Sequence, residues 1–379
     1  MEKHMRKKSL IIIAVIIVLI SAWYYAFKVN YNTRGYINNT INKLQGKTLN
    51  NKFETKIKSG NLATDYNIDT VLKDIDKLGL NTLNIPVAIN IESLTASNMT
   101  IDNSSKEKAI RLIKELKGKK INIILEPYPW IANGTKYETE WLPDNKDEFF
   151  ANWKTKVLKP LIDEVAVPYR VDAFNIGTSF TKFENEEEGF CNMIDYVRQY
   201  YKGLVTYRTS FWITVDWKDP ATQKQQEKLQ QDYEKKLNNK IFSKVDFISI
   251  AAYFELTEND TNTVDNLVSA IESTQRYKRK QNIKQEIKNF YDKWNKPIFF
   301  GELGFPITDK ASIEPWNPNQ TDKLNEKEQA NCFEAYRRSF EKEPWNLGFS
   351  VFAIGENGPD KRYYPSQYST EIIKDWYKK

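Results

Sequence analysis

The 379-residue sequence predicts an α/β protein: a (β/α)8 TIM barrel preceded by a single N-terminal transmembrane helix. Three observations predict it. From about residue 34 a strand–helix alternation repeats to the C-terminus. The strands are short runs of Ile, Val and Phe without polar alternation, which is how parallel strands covered by helices on their outer face read. The run KPIFFGELGFP at 296–306 is an apolar strand that ends on Glu302 between glycines. The C-terminal end of a barrel strand is where such folds bind their ligands.

The N-terminus divides in two. Residues 1–8, MEKHMRKK, form a basic flank, and residues 9–27, SLIIIAVIIVLISAWYYAF, carry no charge. A helix of that length reaches roughly 28 Å, against a bilayer core of about 30 Å. Trp23, Tyr24 and Tyr25 fall where interfacial aromatics are favoured, and the basic flank is expected on the cytoplasmic side. This reading gives a single-pass signal anchor in the cell membrane, with residues 28–379 as one extracellular domain. A cleaved signal peptide is the competing reading, but no small-x-small site follows the apolar run.

The units follow in order. Gly35-Tyr36-Ile37 is the candidate first strand. In the segment 68–78, residues Ile68, Val71, Leu72, Ile75 and Leu78 share one helical face, and Gly79 ends that helix. Then come strand 82–87, helix 105–117 and strand 121–125. Helix 147–165 leads to strand 173–176, helix 188–201 to strand 204–207, and helix 224–237 to strand 247–251. One long helix, 264–290, precedes strand 298–301, and helix 326–340, strand 348–354 and helix 370–377 complete the chain. Residues 211–215 are also strand-like and compete for the fifth position. No Gly-x-Gly-x-x-Gly follows the first strand, which argues against an open dinucleotide-binding sheet.

Composition narrows the function. Cys191 and Cys332 are the only cysteines and both fall within helical patterns, so the fold does not rest on disulfides and two buried free thiols are expected. The net charge of +6 comes from mixed Lys and Glu without an arginine-rich stripe, so no nucleic-acid partner is expected. The lone histidine, His4, lies in the basic flank; neither a metal centre nor a cofactor is expected.

The residues leaving the strands form a distinct inventory: Arg34, Asn84, Asn90, Glu126, Tyr128, Trp130, Asn175, Ser179, Arg208, Tyr253, Glu255, Glu302, Glu356 and Asn357. Carboxylates, amides and aromatic rings together suit an oligo- or polysaccharide partner. Sugar hydroxyls need directional donors and acceptors, and the apolar faces of pyranose rings stack on aromatic side chains. Tyr128, Trp130, Trp141, Trp212, Trp217 and Trp316 are the candidate platforms, with Glu356 as a further contact; Trp153 and Trp345 read as helix-packing residues. Retaining glycoside hydrolysis needs two carboxyl groups about 5–5.5 Å apart, one attacking and one protonating the leaving oxygen. Glu302 suits the first role, with Tyr253 from the neighbouring strand as a donor that keeps it ionised.

At this point the sequence resembles clan A of the glycoside hydrolases, most closely the family 113 β-mannanase group. VDAFNIGTS at 171–179, YKGLVTYRTSFW at 201–212, VDFISIAAYFEL at 245–256 and KPIFFGELGFP at 296–306 are similar to that group's fourth to seventh strand segments. The resemblance implies a TIM barrel, Glu302 in the nucleophile's place, and Tyr253 on the surface facing it. It also implies a general acid/base glutamate directly after the Gly-Thr pair, and here Gly177-Thr178 is followed by Ser179. A serine hydroxyl cannot serve as general acid at neutral pH, an assistance usually worth about 10²–10⁴-fold. Three expectations follow. Glu126, or after it Glu184, Glu186 or Glu187, takes over as acid; or the domain binds a cell-envelope glycan without cutting it; or it acts as a transglycosidase on an activated donor. Asn175 and Arg208 are expected to support the site. The eighth strand ends on Phe352-Ala353-Ile354-Gly355-Glu356, without the tryptophan that floors the sugar site in such barrels.

Overall fold

The computed structural model describes residues 15–22, 40–41, 44, 46–47, 49, 53–355 and 358–378. Its strands are β1 Ile57–Leu62, β2 Thr82–Ile91, β3 Asn122–Ile131, β4 Ala173–Thr178, β5 Leu204–Ser210, β6 Ile248–Ala251, β7 Ile298–Leu303 and β8 Asn346–Ile354. All eight run parallel in sequence order, and β1 pairs with both β2 and β8, which closes the barrel. A two-residue strand, Thr100–Ile101, pairs antiparallel with the end of β2.

The outer ring comprises α1 Ile68–Leu78, α2 Asn103–Glu115, α3 Lys146–Asn152, α4 Glu187–Tyr200, α5 Gln223–Asn238, α6 Val264–Glu272, α7 Ile283–Trp294, α8 Glu326–Phe340 and α9 Gln367–Asp375. Their starts are set by side-chain caps that satisfy otherwise unpaired backbone donors. Asn67 accepts from Thr70 N, Asn145 from Glu148 N and Asn325 from Glu328 N. After α3 the helical path continues through two wider turns, 153–158 and 162–166, on either side of Pro160. A proline has no N–H to give the turn before it, and the ladder relaxes around that gap.

Two sequence expectations are corrected. The first strand is Ile57–Leu62; the segment 35–37 lies outside the described residues. β1 reads IKSGNL, which looks like a polar loop, yet all six residues are buried. Ser59 and Asn61 face a polar level of the barrel interior, and Lys58 points outward to donate to Lys374 O at 2.9 Å, so the strand has no apolar run to announce it. The single helix expected over 264–290 is two helices, α6 and α7. Thr274 and Gln281 close the intervening loop, with Thr274 N–H donating to Gln281 O at 2.9 Å and Gln281 N–H to Thr274 Oγ1 at 3.1 Å. Tyr277, Lys278 and Lys280 inside it take φ of 48°, 52° and 55°, which no helix allows. The fifth strand is 204–210, and residues 211–215 are not part of the sheet.

The barrel interior is layered. At the N-terminal base Ile57, Ile124, Ala173, Leu204, Phe247, Phe299 and Leu347 pack with Leu49 and Phe53 into an apolar plug. Above it lies a buried polar level of Ser59, Asn84, Glu126, Asn175, Thr206, Arg208 and Ser249. An apolar base under a polar mouth directs chemistry to one end of the barrel.

Among the described residues no helix is long and apolar enough to cross a membrane. Of the segment 9–27, residues 15–22 are described and are helical, with the apolar side chains of 15–20 exposed; the remainder and the flank 1–8 lie outside the described residues. Both cysteines are free; Cys332 is buried, and Cys191, contrary to expectation, is only partly so.

Candidate active site

Arg208 organises the mouth. It leaves β5 inward, and its guanidinium reaches across the barrel to groups from three other strands. Nε donates to Thr178 Oγ1 at 2.8 Å, Nη1 to Glu126 Oε1 and Oε2 at 3.0 and 2.9 Å, and Nη2 pairs with Glu302 Oε2 at 3.0 Å. Nη1 also donates to Gly301 O at 3.2 Å. That approach explains the glycine before Glu302: a Cβ at Gly301 would lie 1.9 Å from Ser249 Oγ and 3.2 Å from Arg208 Cδ.

The two carboxylates on this guanidinium differ. Glu126 is 3 % exposed and enclosed by donors: Asn84 Nδ2 gives to Oε1 at 2.7 Å and Asn175 Nδ2 at 3.4 Å, beside Arg208. Burial pushes its pKa up; Arg208 opposes this, the Glu302 charge adds to it, and the two amides again oppose it. The Glu302 side chain keeps 18 % of its surface in solvent, facing the mouth. Tyr253 Oη donates to its Oε1 at 2.7 Å. Burial and the Glu302 carboxylate hold the Tyr253 hydroxyl far above the usual phenol range, so it stays a donor. On Arg208, burial works against the charge, and Glu126, Glu302 and Glu138 together outweigh it. The cation is permanent, and both carboxylates are oriented by it.

Strand ends thus bring together Glu302, Glu126, Tyr253, Arg208 and Asn175, as their positions predicted. Ser179 is at the same end: it is buried with φ 52°, and its N–H donates to Arg208 O at 2.8 Å. The loop glutamates are committed elsewhere. Glu184 pairs with Lys236 and Glu186 with Lys146, and Glu187 lies 3.9 Å from Lys240. Glu255 is held by Arg279 at 2.9 Å and Arg276 at 3.4 Å.

One carboxyl group at the mouth has no strand-end signal. Glu138 belongs to a tight turn, Glu138–Glu140, in the loop after β3. The residue is half-buried, with an edge open to solvent. Burial is the first cause that pushes its pKa up to about 7; Glu302 raises it further, and its own N–H and Arg208 lower it. Nothing in the string KYETEWLP distinguishes Glu138 from Glu140, so the sequence alone did not single it out.

The aromatic expectations separate. Trp212 is not a platform. It is buried, donates to Glu286 Oε2 at 2.7 Å, and packs on Phe290 and Phe254 at 4.9 and 5.0 Å between ring centroids. Trp141 is likewise core, fully buried with Nε1 on Ala96 O at 3.0 Å. Trp217 is tied by Nε1 to Tyr277 O at 2.9 Å and by its N–H to Gln226 Oε1 at 3.0 Å. Trp130 and Tyr128 are half-buried on β3, with the Trp130 ring laid over Gly134, where a Cβ would lie 2.4 Å from it. Trp130 also lines a cleft of about 340 Å³ with Asn90, Asp102, Lys108 and Arg111. Trp316 is 47 % exposed, its Nε1 on Glu255 Oε1 at 3.3 Å. Glu356 lies outside the described residues. The wall beside Glu302 is formed by Tyr253 and Tyr363, 6.3 Å apart by centroids, and Phe352, 5.3 Å from Tyr363. Phe352 lies near the end of β8, which as the sequence indicated carries no tryptophan there, and Tyr363 returns from the next turn to widen the apolar face.

The family model for Glycoside Hydrolase Family 113 matches residues 52–362. Among solved structures, a GH113 β-1,4-mannanase is 19 % identical with a TM-score of 0.61, over 85 % of this chain and 98 % of that one. The GH113 β-mannanase of Alicyclobacillus acidocaldarius, in complex with ManMIm, is 16 % identical with a TM-score of 0.61, over 84 % and 96 %. A β-glucuronidase of an uncultured Clostridium sp. is 14 % identical with a TM-score of 0.52, over 85 % and 50 %. No curated protein matches the chain.

Proposed function

The chain belongs to Glycoside Hydrolase Family 113, and from that premise we propose that it is a retaining glycosidase of β-linked oligo- or polysaccharides with Glu302 as nucleophile. The observation that carries this is the asymmetric treatment of two carboxylates by one guanidinium. Glu126 is closed off by Arg208, Asn84 and Asn175, which makes it the anchor of Arg208 and leaves it no access to a glycosidic oxygen. Glu302 is held by Arg208 and Tyr253 yet open to the mouth. Two donors set its orientation, which is what attack on an anomeric carbon requires.

β-1,4-Linked mannan is the first candidate substrate, because the similar structures are named as β-mannanases. The apolar segment 9–27 behind its basic flank supports a membrane anchor with the barrel outside the cell, where envelope glycans are also within reach. Ser179 supports a second reading, a glycan-binding domain or transglycosidase that lacks a β4 acid. The test is covalent trapping. 2,4-Dinitrophenyl 2-deoxy-2-fluoro-β-mannoside, whose leaving group needs no protonation, should label the peptide containing Glu302, read by mass spectrometry. Glycan binding with no label from the manno, gluco or glucurono probes would favour the non-catalytic reading.

A further inference from the structure

We propose that Glu138 is the general acid/base of this site, delivered by the hairpin after β3 in place of a glutamate after β4. The assignment rests on the reading of Glu302 as nucleophile. The path of the chain makes the first argument. Beyond Ile131, residues Ala132, Asn133 and Gly134 take φ of 48°, 56° and 78° and reverse the chain. Lys136 then runs back antiparallel to Ile131, its N–H on Ile131 O at 3.4 Å. The next turn therefore lies back over the C-terminal end of β3, the end of the barrel at which Arg208 and Glu302 meet. The turn is fixed at both ends. Glu140 N–H donates to Tyr137 O at 3.1 Å and Trp141 N–H to Glu138 O at 3.2 Å. Trp141 is sunk among Phe149, Phe180 and Phe183, at centroid separations of 5.1, 5.5 and 5.9 Å.

The second argument is by partners. Glu126 is enclosed, and Glu184, Glu186, Glu187 and Glu255 have cations of their own. Glu140 turns its Oε2 to Tyr137 N at 3.4 Å. Glu138 has no ion pair among the described residues, yet it shares an electrostatic field with Glu302 and Arg208 at the barrel mouth. Lys136 and Glu140 are the remaining charges on its own hairpin.

The third argument is the proton cycle. With Glu302 ionised, burial and that charge hold Glu138 near 7, so a substantial share is protonated at neutral pH. As a Glu302 oxygen bonds to the anomeric carbon, the C–O bond to the leaving sugar breaks and the Glu138 proton passes to that oxygen. The ester on Glu302 carries no charge, so one of the causes raising the Glu138 pKa disappears and the carboxylate persists as a base. It then takes a proton from water as the water oxygen attacks the same carbon, Glu302 departs as carboxylate, and both groups return to their starting states.

Paired substrates test the assignment on full-length protein: β-1,4-mannotetraose and 2,4-dinitrophenyl β-mannoside. Glu138→Gln should cut turnover of the tetrasaccharide by about 10²–10⁴-fold while glycosyl-enzyme formation from the aryl glycoside changes little. Glu138→Ala should be rescued by azide to give the β-mannosyl azide. Equal losses on both substrates, an unimpaired tetrasaccharide rate, or no azide product would overturn the assignment. A ¹³C titration of the Glu138 carboxyl group, which needs no substrate, should place it near 7 and lower it in Glu302→Gln; an ordinary carboxylate value in the wild type overturns the proposal whatever the glycan. If Glu302→Gln keeps its aryl-glycosidase rate, the nucleophile reading itself fails and the acid assignment falls with it.

Discussion

At the base of the barrel Asp172 meets Lys47 at 3.0 Å, and at the mouth Arg208 meets both Glu126 and Glu302. At the base, among the described residues, the Lys47 cation meets a single carboxylate. The Asp172 side chain is fully buried and also caps Ile123 N at 2.8 Å, next to the apolar plug of Leu49, Phe247 and Phe299. The contact at the mouth is two carboxylates to one cation, and one of the two keeps an open edge. The difference separates stability from chemistry. A closed pair serves the fold, whereas an excess carboxylate held beside a shared cation is poised to react.

Four substitutions probe that contrast, from the largest expected effect to the smallest. Glu302→Gln should lower the rate by at least about 10³-fold, roughly 4 kcal/mol of barrier, while the thermal midpoint stays near wild type, because Glu126 still holds Arg208. A large loss of stability would mean that Glu302 serves the fold as Asp172 does. Arg208→Leu leaves two carboxylates in a buried level and should destabilise by about 3–5 kcal/mol. The loss should ease in acid as Glu126 protonates; a midpoint insensitive to pH would break the account.

Asp172 tests the base. Its pKa is pushed up to about 6, first by burial, with Lys47 and the Ile123 N–H opposing. A folded value above the unfolded one means that the folded state binds the proton more tightly. Stability should therefore fall as pH rises from about 4 to 6, by on the order of 3 kcal/mol. Asp172→Asn should remove this slope from denaturant midpoints measured across that window and leave activity unchanged. Tyr253→Phe is the mildest, removing a single hydrogen bond to a charged acceptor worth about 1.5–3 kcal/mol. It should reduce kcat/KM by roughly 10- to 100-fold without moving the thermal midpoint by more than a few degrees.

The eight-unit rhythm, the parallel closed sheet and the strand-end placement of Glu302, Tyr253, Arg208 and Asn175 were legible because a barrel turns strand order into position. β1 was not, since Ser59 and Asn61 suit a polar interior level and Lys58 reaches outward to α9, a mix that resembles a loop in one dimension. Trp212 and Trp141 were misread as platforms because an aromatic residue after a strand looks the same whether it faces a ligand or a helix. Glu138 escaped because a hairpin that folds back sets its position by tertiary path, and local pattern carries no trace of that path.

Phe180 directly follows Ser179 and packs at 5.5 Å on Trp141, three residues beyond Glu138, while Phe149, Trp153 and Phe183 complete the same ring cluster. The segment after β4 and the hairpin after β3 are in this way keyed into one lock. For protein engineering, this makes residues 132–183 a single exchangeable cassette. A transplant of the β4 loop alone from a relative would arrive without the tryptophan that its phenylalanine seats against, and would carry the neighbouring glutamate out of register with it.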